Sequence, residues 1–210
     1  MGMDSQCNDR RTATDAALIM QVRAGHTQAF DELARRYHAA LARVARSRLG
    51  RADWAEDVVQ ESLLAAFKSC ATYDPRYSFR TWLWTILLNQ CYHHHARRSR
   101  HAPHESLSGD RGASEYDLPW DAGASSPLEA LVTKERNDQL ERMLGQLPAP
   151  QADALRLRFY GELKFYEIAE AMQCSLNTAK NRVRQGLLNM AELLRTIAAS
   201  RADERDSELE

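Results

Sequence analysis

Phe30, Leu33, Tyr37, Leu41 and Val44 recur at three- and four-residue spacing, and Arg48 closes the same stripe with a polar end. That period marks an amphipathic helix with one face in a core. The helix is expected to stop near Leu49-Gly50, where glycine can adopt the left-handed conformation of a C-terminal cap. From Ala52 to about Ala71, Ala55, Val59, Leu63 and Phe67 stand four residues apart, which predicts a second helix buried along that line. The stretch Tyr73-Asp74-Pro75-Arg76-Tyr77-Ser78 breaks the period with proline and reads as a loop. A third helix is predicted from about Phe79 to Arg98, with Ser78 as its N-cap. Further helices are expected over 128–145, 151–160, 164–172 and 176–196. Pro148-Ala149-Pro150, Gly161 and Gln173-Cys174-Ser175 separate them. No stretch alternates with period two over a strand length, so the fold class is all-α.

Between the two helical blocks, residues 101–126 are rich in Gly, Ser, Pro and acids and carry no period. This composition buries too little to fold alone and reads as a flexible linker. It ends on Ser126-Pro127-Leu128-Glu129, a capping box with proline at the first helical position. The chain therefore divides into a disordered tail (1–13), a helical domain (14–100), a linker (101–127), a second helical domain (128–196) and an acidic tail (197–210).

Net charge is −1, which taken whole points to no nucleic-acid partner. Its distribution points elsewhere: +5 over 14–100, −4 over 101–127, +1 over 128–196 and −3 over 197–210. Two neutral-to-basic domains are separated by an acidic connector and followed by an acidic tail. The longest apolar runs, such as Ala16 to Met20, are far too short to span a bilayer, and no apolar run follows the N-terminal charges as in a signal peptide. No membrane insertion is expected, and the location is cytoplasmic. Cys7, Cys70, Cys91 and Cys174 lie far apart with no C-x-x-C pair, which suits a reducing compartment.

The sharpest motif is Phe165 to Met172, then Gln173-Cys174-Ser175, then Leu176 to Gln185: a short helix, a tight turn and a second helix. In that second helix Ala179, Val183, Leu187 and Met190 form the stripe expected to be buried. Asn177, Thr178, Lys180, Asn181, Arg184 and Gln185 then face outward, with Arg182 beside them. Amides and bases at the N-terminal half of such a helix are the groups that read base edges and hold phosphates in a major groove. A solvated face is the bland alternative, and the turn spacing weighs against it.

A second constellation is Asp57, Gln60, Glu61 and Leu64, which share one helix face opposite Val59 and Leu63. An acidic-polar face with an exposed leucine suggests a protein partner, but taken alone a solvated face is the better-favoured reading. A third joins the aromatic loop (Tyr73, Arg76, Tyr77, Ser78) to Arg80, Asn89, His93, Arg97 and Arg98. Rings beside cations suit single-stranded DNA, whose unstacked bases stack while bases hold the backbone. Trp82 and Ile86 are expected in the core, and Trp84 is open to either place. His93, His94 and His95 point about 100° apart on a helix, so they cannot ligate one ion together. Cys91 with His94 or His95 is the better pairing, and no metal or other cofactor is expected. Neither a phosphate loop nor a nucleophile motif is present, so no enzyme activity is expected.

In this order and spacing, AEDVVQESLLAAF, FRTWLWTILLN and LPAPQADALRLRFYGELKFYEIAEAMQCSLNTAKNRVRQGLLNM resemble the extracytoplasmic-function sigma factors of the sigma-70 family. The resemblance covers about Asp15 to Arg195. It implies that Asp57, Gln60 and Glu61, with Leu64 on their face, dock on core RNA polymerase, and that the loop 71–78 captures a base flipped from the melted minus-ten strand. It places Asn89, Arg97 and Arg98 beside that strand. It assigns Lys180, Asn181, Arg184 and Gln185 to the minus-35 major groove. Core RNA polymerase and promoter DNA are the implied partners, with an anti-sigma factor usual for the family. His93 stands where an aspartate is frequent in the family. Ala179 and Asn181 stand where Val and Ser are frequent, so no promoter sequence carries over. The rival reading is a helix-turn-helix regulator that binds an operator without polymerase; a further rival is a helical adaptor that never meets DNA.

Overall fold

A computed structural model describes residues 13–101 and 126–207, all of whose regular structure is helical. The N-terminal tail, most of the linker and the last three residues fall outside the described residues, and the expectations for them rest there. The first half comprises α1 (Asp15–Arg23), α2 (Gln28–Leu49), α3 (Ala52–Ser69) and α4 (Phe79–His101). Two of the boundaries have a clear local cause. The Thr14 side chain accepts from the Ala17 N–H to open α1. Gly50, at φ +74°, ends α2 in the left-handed region, as its sequence predicts. Asp15 in the first turn of α1 ties it to α2, accepting from Arg36 at 2.5 Å and from the Tyr37 hydroxyl. Leu18, Ile19, Leu33, Leu41, Val44, Val58, Val59, Leu83 and Leu87 fill the core, and Phe30 meets Phe67 edge to face at 5.2 Å.

The second half comprises α5 (Pro127–Gln146), α6 (Ala149–Phe159), α7 (Phe165–Ala171) and α8 (Leu176–Ser207). The capping box forms as its four residues predict: Ser126 accepts from the Glu129 N–H, and the Glu129 carboxylate accepts from the Ser126 N–H at 2.9 Å. The α8 helix continues well past the expected end at 196. Residues 197–207 hold no glycine or proline and carry three Ala and two Arg, so nothing in them stops the helix. Gly186 lets α8 lie close on α6, because a Cβ there would stand 2.9 Å from a Leu155 methyl.

The two halves pack against each other. The α4 helix packs against α7, and α2 meets α6. Trp84 is wholly buried, and a Cβ on Gly161 would come within 3.2 Å of its ring. Arg80 donates to the carbonyls of Gly161 at 2.6 Å and Glu162 at 3.0 Å. Trp82 and Ile86 sit half-buried against the core, as their helical spacing predicts.

Candidate nucleic-acid interface

The helix-turn-helix is built by α7, a turn and the start of α8. Glu167 is buried, and its carboxylate accepts from the Lys164 N–H at 2.7 Å, fixing the first turn of α7. Gln173 sits at φ +49° in the turn, a left-handed conformation that side chains resist. Ser175 opens α8 by accepting from the Thr178 N–H at 3.1 Å. Ala179 and Val183 go into the core. Asn177, Thr178, Lys180, Asn181, Arg184 and Gln185 are all exposed, and Arg182 is half-buried. The amide-and-base face therefore stands where the sequence puts it.

The lower part of the stripe departs from expectation. Leu187 is 46% exposed rather than buried, and Met190 is half-buried. Past Gly186 the helix still meets α6, where Asn189 donates to Gln151 at 2.8 Å, but the Leu187 side chain stays uncovered. Leu187 and Leu188 instead line an open apolar groove with Phe165, Val183 and the stems of Lys180 and Arg184.

In the first half, Asp57, Gln60, Glu61 and Leu64 are exposed together on α3, with Val58, Val59 and Ser62 inward. Leu64, 51% exposed, is an apolar side chain in a polar face. Asn89, His93 and Arg97 form an exposed line along α4 at four-residue spacing. Arg98 continues the helix, but its side chain is outside the described ones. Cys91, four residues before His95, is buried, which pushes its thiol up to about 11. The His94 ring packs on Trp54 at 5.3 Å, and His93 is exposed.

The loop between α3 and α4 splits the aromatic set. Tyr77 is 60% exposed and Arg76 and Ser78 are exposed, as a strand-binding surface needs. Tyr73 is buried instead. Its ring lies 5.9 Å from Phe79 and 5.2 Å from Trp82, and its hydroxyl donates to the Tyr77 carbonyl. It supports the loop from below rather than offering a free ring. Asp74 accepts from the Arg76 backbone at 3.0 Å and from its guanidinium at 2.6 Å; that bond holds its carboxyl below the usual range. Arg80 is turned toward the second half by the two carbonyls it binds.

Sequence reasoning did not find the polar seam between the halves. Arg48 on α2 pairs with Asp153 on α6, with side chains 14% and 11% exposed. Asp153 also meets Arg156 at 3.4 Å. Arg156 donates to Ser47 at 2.8 Å, Ser47 donates to Glu141 at 2.6 Å, and the Tyr160 hydroxyl donates to the other Glu141 oxygen at 2.9 Å. Burial lowers the Arg156 basicity, opposed by Asp153 and Glu141. These partners lie up to 109 residues apart, and no local spacing announces them.

Two family models match the chain in register with these two halves. Sigma-70 region 2 matches residues 33–101, and Sigma-70 region 4 matches residues 137–190. The ECF RNA polymerase sigma-E factor of Haemophilus influenzae is 29% identical over 171 residues, covering 81% of this chain and 89% of that protein. Among solved structures, CnrH in complex with the cytosolic domain of CnrY superposes with a TM-score of 0.64 at 22% identity, over 87% of this chain and 97% of that one. The sigma factor RpoE in complex with the anti-sigma factor NepR, from Bartonella quintana, gives a TM-score of 0.59 at 24% identity, over 79% and 96%. These two likenesses show the all-helical fold. Among the described residues, no helix is long and apolar enough to cross a membrane.

Proposed function

Because the chain belongs to the extracytoplasmic-function group of the sigma-70 family, we propose a division of labour between its halves that follows the exposed faces described above. As a sigma factor it binds core RNA polymerase, directs it to specific promoters and assists DNA melting at initiation. The α3 face of Asp57, Gln60, Glu61 and Leu64 is the polymerase-docking surface. Tyr77, Arg76 and Ser78, with Asn89, His93 and Arg97 on α4, take the unpaired minus-ten strand. Asn177, Thr178, Lys180, Asn181, Arg182, Arg184 and Gln185 enter the minus-35 major groove. The observation that carries this reading is the N-terminal face of α8, where amides and bases stand exposed directly after the turn.

The protein catalyses nothing itself and acts in the cytoplasm, where polymerase and DNA are. Its effect is linkage: polymerase holds two weak DNA readers at once, and their contributions multiply. The packed halves support this. A folded chain of this length has a radius of gyration of about 17 Å. Promoter elements centred about 25 base pairs apart lie roughly 80 Å apart at the rise per base pair of B-DNA. Both readers therefore cannot engage until the halves separate, and the seam of Arg48, Asp153, Arg156 and Arg80 is what must open. The complex of the Bartonella quintana relative favours an anti-sigma factor as a further partner for this chain.

A titration tests the scheme. Free protein should bind promoter duplex weakly, and core polymerase should convert this to salt-sensitive, sequence-specific binding. Equally tight specific binding to a palindromic site without polymerase would instead establish an operator-binding regulator.

A further inference from the structure

We infer that Arg23 is a positioning residue for the minus-ten strand: its guanidinium holds the capture loop in its binding shape from outside the loop. Arg23 is the last residue of α1. Its Nε donates to the Cys70 carbonyl at 2.9 Å, and one Nη2 donates to the Ala71 carbonyl at 3.0 Å and to the Tyr73 carbonyl. The partners lie 47, 48 and 50 residues away along the chain.

The second acceptor, at Ala71, belongs to the first residue of the loop. The first, at Cys70, caps the end of α3, where the last carbonyls of a helix lack intrahelical partners and carry its negative pole. A cation there is favourable in itself. The third lies beyond the helix, inside the loop. One rigid planar fork thus spans the helix end and the loop, fixing the direction in which the chain leaves α3. That direction delivers Tyr73 into its pocket against Phe79 and Trp82, and the Tyr73 hydroxyl in turn binds the carbonyl of Tyr77. A relay runs from Arg23 through the Tyr73 backbone and side chain to Tyr77, whose ring stands exposed at the far end. A loop held ready for an extruded base avoids the ordering cost that a free loop meets on binding. A lysine offers a point charge without the fork and cannot reach all three acceptors with the same geometry.

The inference rests on the reading of residues 71–78 as the capture loop, and the test separates the two. Holoenzyme is assembled from core polymerase with wild type, Arg23→Gln, Arg23→Lys or Tyr77→Ala. Its affinity is measured for fork-junction DNA carrying a promoter's duplex minus-35 element and its unpaired nontemplate minus-ten strand. The same fork with each minus-ten base replaced reports discrimination. R23Q should weaken fork binding about tenfold, the size of a lost charge-assisted bond, and flatten discrimination at one minus-ten base. R23K should recover less than half of that loss on a logarithmic scale. Affinity for core polymerase and for minus-35 duplex should not change. If Y77A loses fork binding and R23Q does not, the clamp is overturned while the loop reading stands. If neither variant loses binding, the loop reading fails and takes the clamp with it. A fall in R23Q that is equal for every base, with reduced affinity for core polymerase, would assign Arg23 to general stability and also overturn the proposal.

Discussion

Asp153→Asn should loosen the closed packing of the two halves. Asp153 stands between Arg48 from the first half and Arg156 from its own helix, and all three side chains are at most 14% exposed. Neutralising it leaves two guanidinium groups near each other in a poorly hydrated seam. Breaking a buried pair from one side costs about 3–5 kcal/mol. Glu141 still reaches Arg156 through Ser47, so the lower end of that range applies, about 3 kcal/mol against the closed form. That shifts the balance between closed and open by roughly a hundredfold. The readout is small-angle X-ray scattering of the free protein, where the variant's radius of gyration should exceed the wild type's. Core polymerase, which selects the open form, should bind the variant more tightly by the fraction of closed molecules removed. The pair Arg48→Met with Asp153→Asn should restore part of the compactness, because removing both charges leaves less uncompensated. An unchanged radius for D153N, with additive effects in the double variant, would refute the latch.

The other faces give separable outcomes. Lys180→Glu with Arg184→Glu should abolish transcription from promoters that depend on a minus-35 element while leaving core binding intact, as measured by run-off assay and polymerase pull-down. Asp57→Arg with Glu61→Arg should do the reverse, losing core affinity at least tenfold with minus-35 contacts untouched in the isolated chain. Gln173→Gly should raise the thermal midpoint, since relief of a left-handed side chain is worth about 1–2 kcal/mol and added chain entropy returns up to about 1 kcal/mol of it. Calorimetry reads the sign; a lower midpoint would contradict the strain.

Local pattern makes much of this molecule legible in its sequence. Helical period, Gly50 and the Ser126 capping box fixed element ends because each acts within a few residues. The exposed faces of α3 and α8 followed from the same period. Contacts between distant segments left no such trace. Tyr73 reads from composition as a stacking ring, yet the fork of Arg23 and the pocket of Phe79 and Trp82 bury it. Arg80 reads as a strand contact, yet two carbonyls of the other half hold it. Leu187 follows the buried period, yet it stands 46% exposed on the edge of an open groove beside Phe165. Trp84, ambiguous in sequence, became the wholly buried residue beside Gly161 because the halves pack there.

The central claim is that this chain gives polymerase its promoters. Its most direct test is transcription in vitro from the fragmented source genome, with purified core polymerase, with and without the protein, and with start sites mapped. The account predicts discrete new starts that appear only when the protein is added to core polymerase and that share two upstream elements. No new starts, from folded protein that also fails to bind core polymerase, would contradict it.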